Sequence, residues 1–356
     1  MLRFLYKKVL KPVLFLFDPE AIHHLFVRVG ELCGRFAPGR GLVRLFYGAR
    51  HDASRTVDGI TYTNPVVLAA GFDYNARLTQ ILHSVAFGGV EVGSVTARPC
   101  PGNEPPRMTR AIRSQSLIVY KGLKNEGVDV IIERLQKRPL QKGLILGISI
   151  AMTNDEGCAT LEGAIDDYHT SLKKLVAADL GDYYTINISC PNVYGGENFT
   201  HPGRLRQLLA TLSDVDPGRP VYAKLPINIE LDALDELLDI VHEFGLQGVV
   251  IGNLNKDYDT LDHREEAPEE YRGGLSGKPC RDPSTELIRH ARQRMGPDFT
   301  IIGCGGILSA DDALEKLDAG ADLLQLISGM IFEGPHLMKD IARAIAHRDT
   351  QQRLPP

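Results

Sequence analysis

The chain of 356 residues contains no tryptophan and no run of roughly 18 or more consecutive apolar residues. A membrane-spanning helix needs about 20 such residues, so the sequence predicts no transmembrane span. The apolar stretch from Met1 to Phe17 is interrupted by lysines and by Pro12, and no small-residue cleavage site follows it. The stretch therefore lacks the features of a secretory signal peptide.

Cysteine is sparse as well. The six cysteines are dispersed, with no CxxC pair and no Cys/His spacing that is typical of a metal site. This pattern favours reduced thiols, most of them buried in the packing of a cytosolic protein, over a disulfide framework or a zinc site.

Negative charge predominates overall, with a formal net charge of −5, but the start of the chain is basic. Nine lysines and arginines precede position 51, against three acidic residues. The acidic remainder disfavours a nucleic-acid-binding protein, so we expect no nucleic-acid partner. The basic segment instead favours an anionic surface as its partner.

Eight short runs rich in β-branched residues recur from Pro65 onward, separated by Gly-, Asn- or Ser-rich loops and helical stretches. Because strands that alternate with helices form a parallel sheet, and eight of them close, the sequence predicts an α/β protein with a (β/α)8 TIM barrel. An open doubly wound sheet is the alternative, which the absence of GxGxxG after the first strand disfavours. The predicted strands are Pro65–Gly71, Gly89–Val95, Leu144–Ile150, Tyr183–Ser189, Pro220–Pro226, Gly248–Asn253, Phe299–Gly305 and Asp322–Ser328.

Residues 1–45 form a separate unit in this interpretation, and residues 46–356 form the barrel domain. Apolar residues at helical spacing, and Pro19 directly after Asp18, predict an N-terminal helical extension. Two hypotheses remain open for it: a helical cap packed on the barrel, or a basic amphipathic element on a membrane surface. Two long insertions, residues 96–143 and 254–283, follow the second and sixth strands and are expected to shape the active site.

The chemistry of such barrels lies where the strands end. Glycines after the seventh and eighth strands offer the backbone N–H groups that usually bind phosphate in this fold. Lys224 ends a buried strand, where an ammonium needs a partner. That partner is either a structural carboxylate or the negative charge of a reduced flavin ring.

The segment Asn187-Ile-Ser-Cys-Pro-Asn192 is the most informative motif. Two amides bracket a thiol at a strand end, and an asparagine offers both a donor and an acceptor to a planar imide. Cys190 has two interpretations: a buried structural thiol, or a general base. Its position between two asparagines favours the catalytic role.

These residues and several further motifs resemble the dihydroorotate dehydrogenases over nearly the whole chain. The N-terminal Phe17-Asp-Pro-Glu20, followed by His23 and His24, is similar to the membrane-associated, quinone-using class 2 enzymes. The shared motifs are AAGFD (69–73), EVGSVT (91–96), RPCPGNEPPR (98–107), NISCPN (187–192), GGLSGKP (273–279), IIGCGGI (301–307) and SGMIFEGP (328–335).

The resemblance implies an FMN-dependent oxidation of dihydroorotate to orotate, with a quinone as electron acceptor and a peripheral position on the cytoplasmic side of a membrane. Cys190 is then expected to take a proton from the substrate. Dihydroorotate or orotate would be held by Asn187, Asn192 and Asn253. FMN would be held by Ala70, Gly71, Ser94, Ser149, Asn187, Lys224, Gly277, Gly306 and Ser328.

The chain departs from the family pattern around the substrate. The family's AAGxDK lysine is Tyr74, a substrate-binding asparagine is Val119, and the residue after Asn253 is Leu254. The class 2 base is generally serine, and Ser149 stands where the family has a flavin-contacting asparagine. A substrate carboxylate held away from water needs a cation, and either Lys121 or Lys124 is expected to supply it. Both are equally compatible with solvated loop lysines, although Lys121 is the preferred candidate.

Two other functions remain open from the sequence. The altered loop is compatible with an FMN oxidoreductase of the same fold that acts on another cyclic amide or enoate. A non-catalytic barrel that binds flavin is disfavoured by the intact set of Cys190, Lys224 and asparagines. A tRNA-reducing flavoenzyme is disfavoured by the acidic charge balance.

Overall fold

Helices precede the barrel. The structure is a computed structural model that describes residues 2–189, 199–265 and 273–353. A first helical segment is made of α1, a wider π-helical stretch at Tyr6–Leu10, and α2, and two longer helices follow it. These helices are α1 Leu2–Leu5, α2 Lys11–Leu14, α3 Pro19–Arg35 and α4 Ala37–Tyr47.

Eight parallel strands form a closed barrel, as the strand pattern predicted. A hairpin, β1 Arg55–Val57 and β2 Ile60–Tyr62, precedes it. Each predicted run contains one barrel strand. In chain order these strands are β3 Val66–Leu68, β4 Gly89–Val95, then β7 Ile145–Ile150, β8 Tyr183–Asn187, β9 Val221–Leu225, β10 Gly248–Ile251, β12 Thr300–Cys304 and β13 Leu323–Leu326.

The two long insertions meet in a small antiparallel sheet beside the barrel. The first contributes β5 Met108–Ala111 and β6 Ser116–Val119, and the second contributes the short strand β11 Gly274–Leu275. Gly274 pairs with Val119 across this sheet. The sheet therefore brings the loop after β6, where the sequence departs from the family pattern, next to the loop after β10.

Helices surround the barrel: α5 Val128–Lys137, α6 Leu161–Ala177, α7 Pro202–Leu212, α8 Leu231–Glu243, α9 Arg281–Met295, α10 Ala310–Asp318, α11 Ser328–Glu333 and α12 Leu337–Arg353. After β3 the structure has only a 3-10 turn, Leu82–Val85, instead of a long helix. The turn packs against α4, and a Cβ atom on Gly30 of α3 would lie only 2.6 Å from the Leu78 side chain. The N-terminal helices thus cover the side of the barrel where its own helix is short.

The barrel interior is filled by side chains from alternate positions of the strands. Val67, Tyr183, Tyr222, Ile302 and other residues form a fully buried cluster at one level. A larger apolar cluster fills the space between strands and helices. These runs form strands because β-branched and aromatic side chains pack well on a pleated surface. The packed interior makes the closed barrel a rigid support for its loops.

A buried carboxylate holds the first helical segment on the barrel. Glu333 at the end of α11 is 5% exposed and accepts hydrogen bonds from Lys7 at 2.7 and 2.9 Å. Tyr6 donates to the carbonyl of Ile331 at 2.5 Å, and Arg3 lies 3.5 Å from the same carboxylate. The ammonium of Lys7 is therefore paired with a carboxylate within the protein.

The proposed division between residues 45 and 46 falls inside α4, which continues to Tyr47. Asp18 caps α3 through a 2.8 Å bond from the Ala21 N–H to its carboxylate. Pro19 then occupies the first turn, where a missing N–H costs nothing. The predicted helical extension is confirmed, whereas the two-domain division remains a proposal.

We expect Glu333→Gln to loosen the first helical segment while the barrel stays folded. Loss of hydrogen bonds to a charged partner should lower the free energy of local opening by about 1.5–3 kcal/mol. Hydrogen–deuterium exchange of residues 2–14 measures this opening directly. Glu243→Gln, which breaks an exposed ion pair with Arg206, is the matched control. Equal exchange in both variants would show that Glu333 does not hold the segment.

Candidate active site

One continuous cavity extends from the ends of the barrel strands to the N-terminal helices. Of the predicted FMN-binding residues, six line it: Ala70, Gly71, Ser94, Asn187, Lys224 and Ser328. Three predicted substrate-binding residues line it: Asn253, Lys121 and again Asn187, which was predicted to bind both ligands. Residues that are distant in the sequence thus meet at one end of the barrel, as expected for a (β/α)8 site.

A chain of hydrogen bonds fixes the polar groups at the bottom of this cavity. Ser149 and Ser94 share a 2.8 Å hydroxyl–hydroxyl bond, and the Asn187 amide donates to Ser94 Oγ at 2.9 Å. The Asn253 amide donates to Ser189 Oγ at 2.9 Å. Ser149 is fully buried behind Ser94, so it orients Ser94 within the described structure and does not itself line the cavity.

Two glycines that are predicted to bind FMN, Gly277 and Gly306, lie in tight loops and do not line the cavity. Gly277 has φ +75°, and a Cβ there would come within 2.2 Å of the Gln115 carbonyl oxygen. Gly306 has φ +71°, and a Cβ there would come within 2.3 Å of Arg281. Both positions therefore require glycine, and both are buried close to the beginning of α9.

Lys224 is 5% exposed at the end of β9, where its backbone pairs with Asn187 on β8. Among the described residues no carboxylate lies within ion-pair distance of its ammonium, so the structural salt bridge considered from the sequence is not present there. A buried cation of this kind is stabilised by an anionic or electron-rich ligand in the cavity. The site thus fits a ring that becomes negatively charged.

Cys190 and Asn192 lie outside the described residues. The five described cysteines are all free thiols. Burial raises the pKa of Cys158 and of Cys280 to about 12, and also raises the pKa values of Cys100 and Cys304. None of these four is disposed to act as a base near neutral pH, so Cys190 remains the candidate.

The N-terminal helices form the outer half of the cavity, which sequence reasoning did not predict in detail. Leu14, Phe15, Ile22 and Phe26 line it with apolar side chains. Arg110 crosses from β5 and donates to the carbonyl of Phe17 at 2.7 Å, with its guanidinium 4.6 Å from the centre of the Phe15 ring. Only the spacing of Ile22 and Phe26, one helical turn apart, carried a signal in the sequence.

His23 of α3 also lines this outer half. Its Nε2 lies 2.8 Å from the carbonyl oxygen of Phe72, so Nε2 carries the hydrogen and Nδ1 presents a lone pair. Nδ1 has no hydrogen-bond partner within the described part of the chain. Burial lowers the pKa of His23 to about 3, which keeps the ring neutral.

Comparisons with known proteins identify the family. A family model described as dihydroorotate dehydrogenase matches residues 53–348. A dihydroorotate dehydrogenase (quinone) of Christiangramia forsetii is 36% identical over 349 residues, covering 97% of this chain and 99% of that protein. The protein of the same name from Natronomonas pharaonis is 37% identical, covering 95% and 93%. The chain belongs to the dihydroorotate dehydrogenase family.

Solved structures share the fold. The ligand-free DHODH of Eimeria tenella has a TM-score of 0.80 and 25% identity, covering 94% of this chain and 96% of that one. The DHODH of the same organism in complex with ferulenol has a TM-score of 0.81 and 24% identity, covering 95% and 93%. The predicted TIM barrel with N-terminal helices is thereby confirmed.

The structure separates the two lysines that are candidates for the missing family lysine. Lys121 places its ammonium 4.8 Å from the centre of the Tyr74 ring, the residue that replaces that lysine. Burial lowers the pKa of Lys121 to about 8. In this member of the dihydroorotate dehydrogenases, a cation therefore stands beside the altered position.

Lys124 also borders the cavity but is already paired. Its ammonium lies 3.1 Å from Glu20 of α3, and the Arg107 guanidinium lies 3.4 Å from the same carboxylate. The Glu20 carboxylate is well neutralised, and its pKa is lowered although burial opposes this. Lys124 thus joins the loop after β6 to the N-terminal helices. Lys121 is therefore the better candidate to bind a ligand carboxylate.

Proposed function

We propose that this chain oxidises dihydroorotate to orotate with bound FMN and transfers the electrons to a membrane quinone. The continuous cavity is the observation that carries the proposal. Its inner half has the amides and the buried Lys224 at the strand ends, and its outer half is apolar and lies between the N-terminal helices. A polar substrate and an apolar acceptor thus reach one redox centre from two sides.

FMN fits the inner half because the loops have the groups it needs. Ser94, Asn187 and Lys224 line the cavity and would hold the ring, and the glycine loop after β12, which contains Gly306, would hold the phosphate. When bound, FMN supplies the acceptor for the hydride from ring carbon six of dihydroorotate. The Lys224 ammonium stabilises the negative charge that this transfer produces.

Proton removal from ring carbon five is the part of the reaction that falls to the protein. Cys190 follows β8 by three residues and is proposed as the base. Asn187 and Asn253, held by their bonds to Ser94 and Ser189, are proposed to orient the substrate ring beside it. Positioning of this kind sets the distance between base and carbon.

The experiment that tests the function is anaerobic reduction of the bound flavin by dihydroorotate, followed by absorbance. The parent should bleach, and Cys190→Ala should keep its flavin but bleach at least about a hundredfold more slowly, the usual scale for a lost general base. Cys190→Ser is the matched control and should retain activity that shifts to higher pH. Bleaching of Cys190→Ala at the parent rate would refute the assignment of the base. Absence of bleaching in the parent would refute the substrate.

Lys121 is proposed to bind the substrate carboxylate in place of the family's lysine. Tyr74 offers only a hydroxyl, which already lies 3.2 Å from His24 Nε2. Val119 and Leu254 border the cavity with apolar side chains. The ammonium of Lys121 is therefore the cation best placed to balance an acid in this part of the site.

We expect Lys121→Met to weaken orotate binding by on the order of 1.5–3 kcal/mol, the range for a hydrogen bond to a charged group. Lys124→Met is the control and should change it little. Because the pKa of Lys121 is about 8, its ammonium is present below that pH and is lost above it. Parent affinity for orotate should therefore fall between about pH 7 and pH 9, and the Lys121→Met profile should be flatter. Parent-like binding in both variants would favour a less acidic cyclic amide such as dihydrouracil as substrate.

The N-terminal helices are proposed to dock on a membrane and admit quinone. Of the eighteen large apolar side chains that are exposed in the described residues, fifteen lie between Phe4 and Phe46. Leu16 is 83% exposed and Leu45 is 62% exposed. Within the described residues no helix is long and apolar enough to cross a membrane. An apolar surface of this extent, with exposed Lys8 at its side, suits a peripheral contact with an anionic lipid surface.

We expect the double variant Leu16→Ser, Leu45→Ser to turn over more slowly with a long-chain quinone embedded in anionic vesicles. A smaller fraction of this variant should also co-sediment with the vesicles. Turnover with a short, water-soluble quinone should stay near the parent value, since the cavity itself is unchanged. Leu231→Ser, which alters an exposed leucine on α8, is the control. Unchanged turnover and sedimentation of the double variant would contradict docking through this surface.

A further inference from the structure

Lys316 on α10 is a fully buried lysine without a carboxylate partner among the described residues. Its ammonium donates to the Arg281 carbonyl at 3.2 Å, to Thr285 Oγ1 at 2.9 Å and to Ser284 Oγ. All three acceptors are neutral. Burial lowers its pKa to about 8, and the neighbouring Asp312 and Glu315 act on it only as weaker influences.

A buried ammonium with only neutral acceptors is unusual, because removal of a cation from water costs several kcal/mol unless a charge compensates it. A neutral hydrogen-bond donor could join α10 to α9 with a smaller desolvation free energy than a lysine. The buried charge of Lys316 therefore points to an anion that lies close to it when the ligand is bound.

The acceptors of Lys316 place its charge next to the glycine loop after β12. They belong to the first turn of α9, and Ser284 Oγ also donates to the Gly305 carbonyl at 3.4 Å. Gly305 and Gly306 both have positive φ, and a Cβ on Gly306 would collide with Arg281 in that same turn. Lys316, the beginning of α9 and the glycine loop thus form one packed unit.

We propose that Lys316 is a positioning residue that provides the buried counter-charge for the cofactor's phosphate, acting through the first turn of α9 and the Gly305–Gly306 loop. The inference rests on the proposed binding of FMN. It adds that discrimination between a phosphorylated flavin and the same flavin without phosphate depends on this side chain. The hydrogen bonds of Lys316 lead to the first turn of α9 and, through Ser284, to the glycine loop, so the proposal assigns its charge to the phosphate and not to the ring.

The test compares two ligands that differ only in the phosphate. Full-length protein freed of flavin is titrated with FMN and with riboflavin, and flavin fluorescence gives both dissociation constants. Lys316→Met keeps the length of the side chain and removes its charge. Lys278→Met removes an exposed lysine that precedes the same helix and serves as the control.

We expect Lys316→Met to lower the preference for FMN over riboflavin by at least about tenfold, with riboflavin affinity changed less than about twofold. Lys278→Met should leave the preference within about twofold of the parent. Equal weakening of both flavins in Lys316→Met would show a packing role only, and an unchanged preference would show no role. Both outcomes overturn the proposal. Failure of the parent to bind either flavin would instead refute the proposed cofactor.

A second measurement covers the case in which Lys316→Met does not fold. In the parent, the preference for FMN should fall between about pH 7 and pH 9, as Lys316 loses its proton. The groups around Lys316 include the carboxylates of Asp312 and Glu315 on its own helix. The hydrogen bond to Asp282 raises the pKa of Arg281 and lowers that of Asp282, and burial raises the pKa values of Cys280 and Cys304. A preference that is constant across this range would overturn the proposal.

Discussion

The buried ammonium of Lys224 is the constraint on which the proposed arrangement of the site depends. A cation that is 5% exposed at the end of a barrel strand destabilises an empty site, and among the described residues no carboxylate compensates it. In the proposed function, an electron-rich ring in the cavity compensates this charge and thereby stabilises the protein. The same charge then becomes most favourable when that ring turns negative, which is the condition for differential stabilisation during hydride transfer. The hydrogen-bonded chain from Ser149 through Ser94 to Asn187 holds the neighbouring groups in place, so that little reorganisation accompanies the change in charge.

The N-terminal helices are bound to this site by charge as well as by apolar packing. Glu333 on α11 binds Lys7, and Glu20 on α3 binds Lys124 and Arg107. Both carboxylates lie at the boundary between the helices and the barrel loops. The basic character of the N-terminal segment therefore has two uses: some cations fix the helices to the barrel, and others such as Lys8 stay exposed. The membrane hypothesis and the cap hypothesis are compatible for this reason, because the same helices pack on the barrel with one face and expose apolar side chains on the other.

The sequence was sufficient to predict the eight strands, because buried parallel strands need continuous β-branched runs and their loops need glycine and asparagine. It was also sufficient to place Ser94, Asn187, Lys224 and Ser328 at one end, since parallel strands end on the same side of a barrel. It did not predict Arg110 or Glu333 as contacts of the N-terminal helices. Those contacts join residues far apart in the chain, and the spacing of apolar residues in a helix does not indicate which surface the helix covers. The short turn after β3 was missed as well, because an apolar stretch without clear periodicity gives no helix length.

The loop after β6 places a cation beside the position where this chain lacks the family's lysine. The family's lysine position holds Tyr74, and the ammonium of Lys121 reaches over the ring of this tyrosine from a different loop. The aromatic face stabilises a cation at that distance and partly offsets its desolvation. A methionine or leucine at position 74 would provide no such interaction, so the exchange of lysine for an aromatic residue and the presence of Lys121 are physically coupled. Lys124 is paired with Glu20 of α3, so in the proposed function Lys121 is the cation of this loop that binds the ligand, and Lys124 is the one that binds the helices.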